Sequence, residues 1–513
     1  MSDEVVSELG KAARGGVIAL FGLVVAAVFG FLVRAIVGRV YGPEQYGVYN
    51  LAFTVFTITL TLVMLGFQMG VQRQVSYFLT KKPEETKELI STAIITVMGT
   101  SSAGLIFLEL VKEKLPEYIG GGSLLPSLLS VLAVALPITA VFNTLISTSQ
   151  GFKRVREYVF YGKIVVPLLY FISVVVVSGV IRDNINSVIA SYVLVQAVGL
   201  FLITRDLKRA GILSERLRFS PRLAKVLVLF SVPLMLSNIV WFIMTWTDTL
   251  MLGHYLGSRI VGIYNAASPL ARFIPVFLSA FTVIYSPIVT QLHSKGLIKE
   301  INRVYSSIAK WVLLLTYPLF MLLFLYPKPV IEALFGVKYI EAALPLMILS
   351  LGFMLHSIFG PNGLTLISIG MPTQEMVGNI LGAALNVGMN ILLIPRYGMI
   401  GAATATAISY GMANIYKQIV LLKRDIMPFT VEYIKIIAIG ATIVTIGHFI
   451  KTENIFMSLI LTGMYSFIFY LIALFAGTFN IIDIELLKIL VRKFNIDTNN
   501  RIIAILEKHS RRH

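Results

Sequence analysis

The fold of this chain is decided by residues 38–52, GRVYGPEQYGVYNLA, which return at residues 253–267 as GHYLGSRIVGIYNAA. Three glycines, a tyrosine, an asparagine and an alanine match at a constant offset of 215 residues. Each copy follows a long apolar run. Repetition at a fixed offset indicates a duplicated architecture, in which each copy contributes the same part of the fold.

Shorter sequence matches between the two halves occur further along the chain. Residues 144–147 and 365–368 both read TLIS, and a Ser-Tyr pair at 191–192 returns at 409–410. Six predicted spans separate the copies, so both halves have the same orientation across a membrane. Transporters with such parallel repeats bind substrate between two lobes that rock against each other. We therefore predict two parallel six-helix lobes.

Composition places the chain in a membrane. Of its 513 residues, 57% are hydrophobic and only 13% are charged, whereas soluble domains carry about 25% charged residues. The chain has no cysteine, which excludes disulfides and thiolate metal sites. A membrane helix needs about 20 apolar residues, and we predict about fourteen such helices in an all-α integral membrane protein. The predicted spans are 15–38, 47–71, 88–110, 124–148, 158–180, 186–204, 226–249, 264–290, 305–326, 342–369, 373–394, 399–421, 431–450 and 454–477.

The basic residues predict the topology. The net charge of +17 would suit a nucleic-acid partner in a soluble protein, but here the Lys and Arg residues lie between apolar runs. If the N-terminus is cytoplasmic, 32 of the 43 fall on the inner side, nine on the outer side and two inside spans. Cytoplasmic loops are enriched in Lys and Arg. Both termini are therefore predicted to be cytoplasmic, with no nucleic-acid partner.

The repeat and the span count predict the domain organisation. An N-terminal lobe covers 1–215 with spans 1–6, and a C-terminal lobe covers 216–425 with spans 7–12. Spans 13 and 14 occupy 426–478, and a basic amphipathic cytoplasmic tail follows at 479–513.

Several motifs resemble one family of transporters. Residues 39–49, 231–233 with 262–267, and above all 386–403 (NVGMNILLIPRYGMIGAA) are similar to the signatures of Wzx-type oligosaccharide-lipid flippases. These belong to the MOP superfamily, with lipid II flippases and MATE exporters. The resemblance implies a V-shaped two-lobe antiporter of the plasma membrane, and sodium, protons and the membrane potential all stay open as its driving force. It also implies that the protein moves a polyprenyl-diphosphate-linked glycan outward for polysaccharide biosynthesis. We expect a monomer in the lipid bilayer.

Three ionisable residues lie well inside the predicted spans: Arg34 in span 1, Asp248 in span 7 and Arg272 in span 8. Such residues are costly in lipid and mark functional sites. Arg34 and Arg272 are predicted to bind the diphosphate, because a guanidinium stays charged and donates two parallel hydrogen bonds to phosphate. The cavity arginines of lipid II flippases, on helices 1 and 8, imply the same. Two alternatives stay open, namely snorkelling to outer headgroups and a latch between Asp248 and either arginine.

Asp248, Asn386, Asn390 and Thr406 are predicted to form the ion-coupling site, for sodium or a proton. Sodium prefers oxygen ligands, and Asn386 and Asn390 share one face of span 11 because they are four residues apart. Lipid II flippases place an acid on helix 7, a pair with this spacing on helix 11 and a threonine on helix 12. Helix packing by the two asparagines is the alternative. No cofactor is expected, and a bound sodium ion is left open.

Two other function classes fit the sequence less well. A MATE-type multidrug exporter of organic cations would favour carboxylates over arginines in its cavity, yet the N-terminal spans carry Arg34 and no central acid. A membrane enzyme would need convergent acidic or His groups on an outer loop. The acidic residues Glu109, Glu113 and Glu117 read instead as the edge of a solvated helix. We therefore predict a transporter and no catalytic residues.

Overall fold

Helices form nearly all the regular structure of residues 3–181 and 184–478, the part of the chain that the computed structural model describes. No strand occurs in these two ranges. Lipid offers the backbone no hydrogen-bond partners, and a helix satisfies its N–H and C=O groups internally. The predicted all-α class is confirmed.

Within those ranges the α-helices, numbered in chain order, are α1 (Asp3–Val63), α2 (Phe67–Lys81), α3 (Thr86–Val111), α4 (Leu115–Ile119), α5 (Leu124–Gly151), α6 (Val155–Val159), α7 (Val166–Val175), α8 (Ile185–Arg209), α9 (Pro221–Leu256), α10 (Ser258–Ala271), α11 (Val276–Ser294), α12 (Ile298–Leu325), α13 (Pro327–Phe335), α14 (Ala343–Ile358), α15 (Asn362–Ser368), α16 (Pro372–Leu422), α17 (Val431–His448) and α18 (Ile455–Phe475).

Ten helical segments of the described residues are long and apolar enough to cross a membrane. They are Phe21–Lys81, Pro83–Val111, Leu124–Gly151, Val155–Ile181, Ile185–Arg209, Ile298–Leu325, Val337–Ser368, Pro372–Leu422, Val431–His448 and Ile455–Phe475. The chain is thus a multi-pass membrane protein. The count of fourteen spans stays a prediction.

Two of these segments are much longer than the roughly 20 residues that one crossing needs. Phe21–Lys81 has 61 residues and Pro372–Leu422 has 51. Each contains a break in the helical backbone, at Gly42 (φ 79°, ψ 174°) and at Gly398 (φ 58°, ψ −135°). The breaks fall between the predicted spans 1 and 2 and between spans 11 and 12, so each long segment can cross twice.

The backbone reproduces the sequence repeat. Gly42 has φ 79° and ψ 174°, and its repeat partner Gly257 has φ 80° and ψ 175°. A residue with a Cβ is strongly disfavoured at such angles, whereas glycine adopts them readily. The two glycines therefore make the same turn at the end of a long helix in each copy.

Packing divides the described chain into two compact units. Unit 1 comprises Met1–Ala266, Leu334–Tyr339 and Val387–Ala402, and unit 2 comprises the remaining described residues from Ala267 onward. Unit 1 contains both copies of the glycine motif up to Ala266. The predicted lobe boundaries, which follow from the repeat and the span count, stay a prediction. The predicted amphipathic tail, 479–513, lies outside the described residues.

Inside unit 1 the two copies of the motif pack directly against each other. A Cβ on Gly47 would lie 1.8 Å from the backbone oxygen of Ser258, and a Cβ on Gly262 would lie 1.9 Å from that of Pro43. Each glycine also lies close to the backbone nitrogen of the other. The repeat glycines therefore let two backbones approach more closely than any side chain would permit.

Candidate functional site

Arg34 lines a cavity of about 230 Å³ inside unit 1. The walls come from α1 on both sides of Gly42, with one residue each from α7 and α9. The lining residues are Gly30, Val33, Arg34, Tyr49, Asn50, Phe53, Thr57, Tyr170 and Trp246. Among them, Arg34 alone carries a formal charge. The cavity is thus cationic, and its other walls are hydrocarbon, aromatic rings, an amide and hydroxyls.

Helical spacing places these side chains on one surface. Gly30, Val33 and Arg34 are separated by three and four residues, as are Tyr49 or Asn50, Phe53 and Thr57 on the other side of the break. Residues three and four apart share a helix face. The turn at Gly42 brings the two faces together, so a short stretch of sequence builds most of the cavity.

Aromatic rings form much of the cavity wall. The hydroxyls of Tyr49 and Tyr170 are 3.1 Å apart. The rings of Tyr49 and Phe53 have centroids 4.6 Å apart, and Phe53 in turn packs edge-on against Tyr192 at 5.2 Å. Such tilted and edge-to-face contacts are favourable and hold the rings in place. These contacts therefore hold the tyrosine and phenylalanine side chains of the wall in fixed positions.

Asp248 is buried in unit 1 with both carboxylate oxygens engaged. Its side chain is 2% exposed. The Tyr264 hydroxyl donates to Oδ2 at 2.6 Å, and the Asn390 amide nitrogen donates to Oδ1 at 2.8 Å. The structure thus joins Asp248 to Asn390, two of the four predicted ion-coupling residues, across 142 positions of sequence.

The side chains around Asp248 could hold an ion in the place of one hydrogen-bond donor, the Asn390 amide. Oxygen ligands suit sodium, and the Asp248 carboxylate, the Tyr264 hydroxyl and the Asn390 amide all offer oxygen. Turning the Asn390 amide over would replace its donor with its carbonyl oxygen. The residues present therefore fit a monovalent cation, and equally a proton on the carboxylate.

The other two predicted ion-coupling residues form a second pair, in unit 2. The Asn386 amide donates to the Thr406 hydroxyl at 3.1 Å, and both side chains are buried. The convergence of this pair with Asp248 and Asn390 stays a prediction.

Arg272 is half-buried in unit 2. Its Nε donates to the Ser268 hydroxyl at 3.3 Å, and its guanidinium carbon lies 6.0 Å from the centroid of the Phe353 ring. These contacts orient the guanidinium by a hydrogen bond and a cation–π contact. The shared cavity for Arg34 and Arg272 stays a prediction.

Sequence reasoning missed Tyr264 as a partner of Asp248. The sequence repeat could have indicated it, because Tyr264 is the repeat partner of Tyr49, and Tyr49 lines the Arg34 cavity. The same motif tyrosine thus reaches a charged side chain in one copy and faces the cationic cavity in the other. The repeated motif therefore marks both the duplication and two side chains of the candidate site.

Lys417, which the sequence analysis counts only among the basic residues of the inner side, is buried in the structure. Lys417 lies inside α16 and is 7% exposed. Its Nζ donates to Asn379 at 2.6 Å and lies 3.3 Å from a Glu375 carboxylate oxygen. A Cβ on Gly378 would lie 2.9 Å from the Lys417 stem, so the glycine makes room for the buried lysine. The residues described contain no group of three or more His, Cys, Asp or Glu that could hold a metal ion.

Comparisons with known proteins agree with this architecture. The family model "Polysaccharide biosynthesis protein" matches residues 12–293, and the model "MatE" matches residues 233–392. An uncharacterized membrane protein of Methanocaldococcus jannaschii is 23% identical over 94% of this chain and 98% of its own length. The "Probable low-salt glycan biosynthesis flippase Agl15" of Haloferax volcanii is 24% identical, over 77% of this chain and 80% of that protein.

A solved structure shares the fold. The lipid II flippase MurJ in an inward closed conformation superposes with a TM-score of 0.69 at 17% identity. The match covers 88% of this chain and 97% of that one. At this identity the likeness establishes the fold.

Proposed function

Because this chain belongs to the polysaccharide biosynthesis protein family, we propose that it is a flippase for lipid-linked glycans. It moves a polyprenyl-diphosphate-linked oligosaccharide from the cytoplasmic to the outer leaflet by alternating access, for surface polysaccharide or glycan biosynthesis. It is a transporter and not an enzyme. The observation that carries this proposal is the single arginine in the aromatic-walled cavity of unit 1.

The Arg34 cavity suits a diphosphate that carries a sugar. A guanidinium donates parallel hydrogen bonds to phosphate oxygens and keeps its charge away from water. Fixed aromatic faces pack against the carbon face of a sugar ring, and the hydroxyls of Tyr49 and Tyr170 can bond sugar hydroxyls. Arg272 supplies a second phosphate-binding side chain in this proposal. A multidrug exporter has weaker support, since an arginine repels organic cations.

Asp248 is the coupling residue in this proposal. An ion that occupies the Asp248 site would tie the helices that carry Asp248, Asn390 and Tyr264. It would bias the transporter only by its difference in affinity between the inward and outward states. Asn386 and Thr406 complete the site when the two pairs converge.

Sodium is expected to protect the folded protein against heat. A ligand that binds only the folded state raises the melting temperature, so melting in detergent should occur at a higher temperature in sodium than in potassium. Asp248→Asn removes the charge and should abolish the difference while the protein stays folded. Equal melting of the unaltered protein in both salts would exclude sodium and leave the proton or the membrane potential as the driver.

The proposed setting is the plasma membrane, with both termini in the cytoplasm and the protein acting as a monomer. In this orientation 32 Lys and Arg residues lie on the inner side and nine on the outer side. The bias supports the orientation, because such residues are retained on the cytoplasmic side.

Transport in vesicles tests the function. Purified protein is reconstituted into liposomes that contain a fluorescent prenyl-diphosphate oligosaccharide. Without flipping, a membrane-impermeant quencher reduces only the fluorescence of the outer leaflet, about half of the total. With active protein, the quenched fraction should rise above that half. Protein-free liposomes and a fluorescent phospholipid serve as controls. Exposure of the phospholipid at the same rate would indicate an unspecific scramblase, and no exposure of the glycolipid would contradict the proposal.

A further inference from the structure

A second pocket of unit 1, of about 200 Å³, adjoins the Arg34 cavity. Its walls are one face of α1 and one face of α9, because their residues recur at helical spacing. The lining residues are Ile58, Thr61, Leu62, Phe242, Ile243, Trp246, Thr247 and Leu250. None of these side chains carries a formal charge, and Thr61 already donates its hydroxyl to the backbone oxygen of Thr57 at 3.0 Å. The pocket therefore presents mainly hydrocarbon.

Trp246 joins this apolar pocket to the cationic cavity. It is the one residue that lines both spaces. On α1, Thr57 belongs to the cationic cavity, and Ile58 and Thr61 belong to the apolar pocket. The two spaces therefore meet at Trp246. A ligand that fills both passes this side chain, with its anion on the Arg34 side and its hydrocarbon on the other.

We propose that this apolar pocket receives the isoprene units nearest the diphosphate of the lipid carrier, with Trp246 at the boundary between the anion and the hydrocarbon. This inference rests on the proposed function. In a prenyl diphosphate the hydrocarbon begins at the phosphate ester oxygen, whereas a phospholipid interposes glycerol. Because the two spaces share Trp246 as a wall, the apolar pocket begins where the cationic cavity ends, and this favours the prenyl ligand over a phospholipid.

The size of the pocket sets how many isoprene units of the lipid carrier it holds. An apolar cavity of about 150 Å³ accommodates benzene, so a pocket of about 200 Å³ has room for one or two five-carbon units. Leu62 is 46% exposed at its rim. The remaining isoprenes can leave past Leu62, so the pocket recognises the beginning of the carrier and not its full length.

Tryptophan emission provides a direct binding test. The chain has three tryptophans, and replacing Trp241 and Trp311 with phenylalanine leaves Trp246 as the reporter in the full-length protein. Farnesyl diphosphate should change Trp246 emission saturably and bind more tightly than either inorganic pyrophosphate or farnesol. Equal affinity for farnesol and farnesyl diphosphate would overturn the proposal, because it would indicate a general apolar pocket.

Filling the pocket separates its role from that of Arg34. Leu250→Phe should weaken farnesyl diphosphate on the order of tenfold, the effect of excluding about two methylene groups, and should leave pyrophosphate binding unchanged. Leu229→Phe is the matched control, because Leu229 lies on the same helix and is 65% exposed. If Leu250→Phe does not fold, Ile58→Phe narrows the pocket from α1.

The outcomes distinguish the two proposals. Arg34→Ala should weaken both pyrophosphate and farnesyl diphosphate. If the pocket-filling variant binds farnesyl diphosphate normally while Arg34→Ala binds it weakly, the pocket inference fails and the proposed function stands. If Arg34→Ala changes neither ligand, Arg34 does not bind the diphosphate and the pocket inference fails with it, whereas the proposed function fails only if the unaltered protein does not flip the glycolipid.

Discussion

Arg34→Ala is expected to reduce glycolipid flipping by about 10- to 100-fold in proteoliposomes. A hydrogen bond to a charged group contributes about 1.5–3 kcal/mol, which corresponds to that range in affinity. We expect the full loss of affinity here, because Arg34 alone among the lining residues of its cavity carries a formal charge. We expect Arg34→Lys to recover only part of the rate, since an ammonium lacks the planar fork that grips two phosphate oxygens.

The matched control for Arg34 lies on the same helix. Arg39 is exposed, five residues further along α1, and Arg39→Ala removes the same charge outside the cavity. It should flip glycolipid at nearly the unaltered rate. Arg272→Ala should resemble Arg34→Ala if both arginines hold the diphosphate. Unimpaired flipping in both Arg34→Ala and Arg272→Ala, at normal expression, would refute the assignment of the substrate site.

Gly262→Ala is expected to destabilise the protein strongly. The added Cβ would lie 1.9 Å from the Pro43 backbone oxygen, and a backbone atom cannot move aside as a flexible side chain can. Overpacking typically costs about 1–3 kcal/mol, and this clash should fall at or above the upper end. Thermal melting in detergent should show a lower transition temperature, and Gly47→Ala should behave in the same way because it meets Ser258 at 1.8 Å.

A double variant tests whether the two glycines act as one contact. Once Gly262→Ala has separated the two copies, Gly47→Ala should cost less than it does alone, because neighbouring sites are not additive. Gly411→Ala is the control, since a Cβ there meets nothing within 4 Å and alanine favours a helix interior. Normal melting of Gly262→Ala would mean that the copies do not pack through these glycines.

The candidate site was predictable in part because charge in lipid is expensive. Arg34 and Asp248 can be recognised in their apolar runs before their spatial neighbours are known. Both occupy defined positions in the structure, Arg34 in a cavity wall and Asp248 between two hydrogen-bond donors. Lys417 does not stand out in the sequence because it lies near the end of a predicted span, where basic residues are common. Its burial is evident only from the structure, where it contacts Glu375 and Asn379.

The sequence by itself determined the helical class, the membrane setting, the duplication and the places where the backbone turns. These properties follow from local features, namely the length of apolar runs, the cost of charge in lipid and the angles that glycine alone adopts readily at Gly42 and Gly257. Only the tertiary structure decided which side chains meet. Asp248 and Asn390 are 142 residues apart, and Trp246 of α9 joins two cavities that both have walls on α1. Such contacts depend on the rotation and depth at which whole helices pack, which no single stretch of sequence encodes.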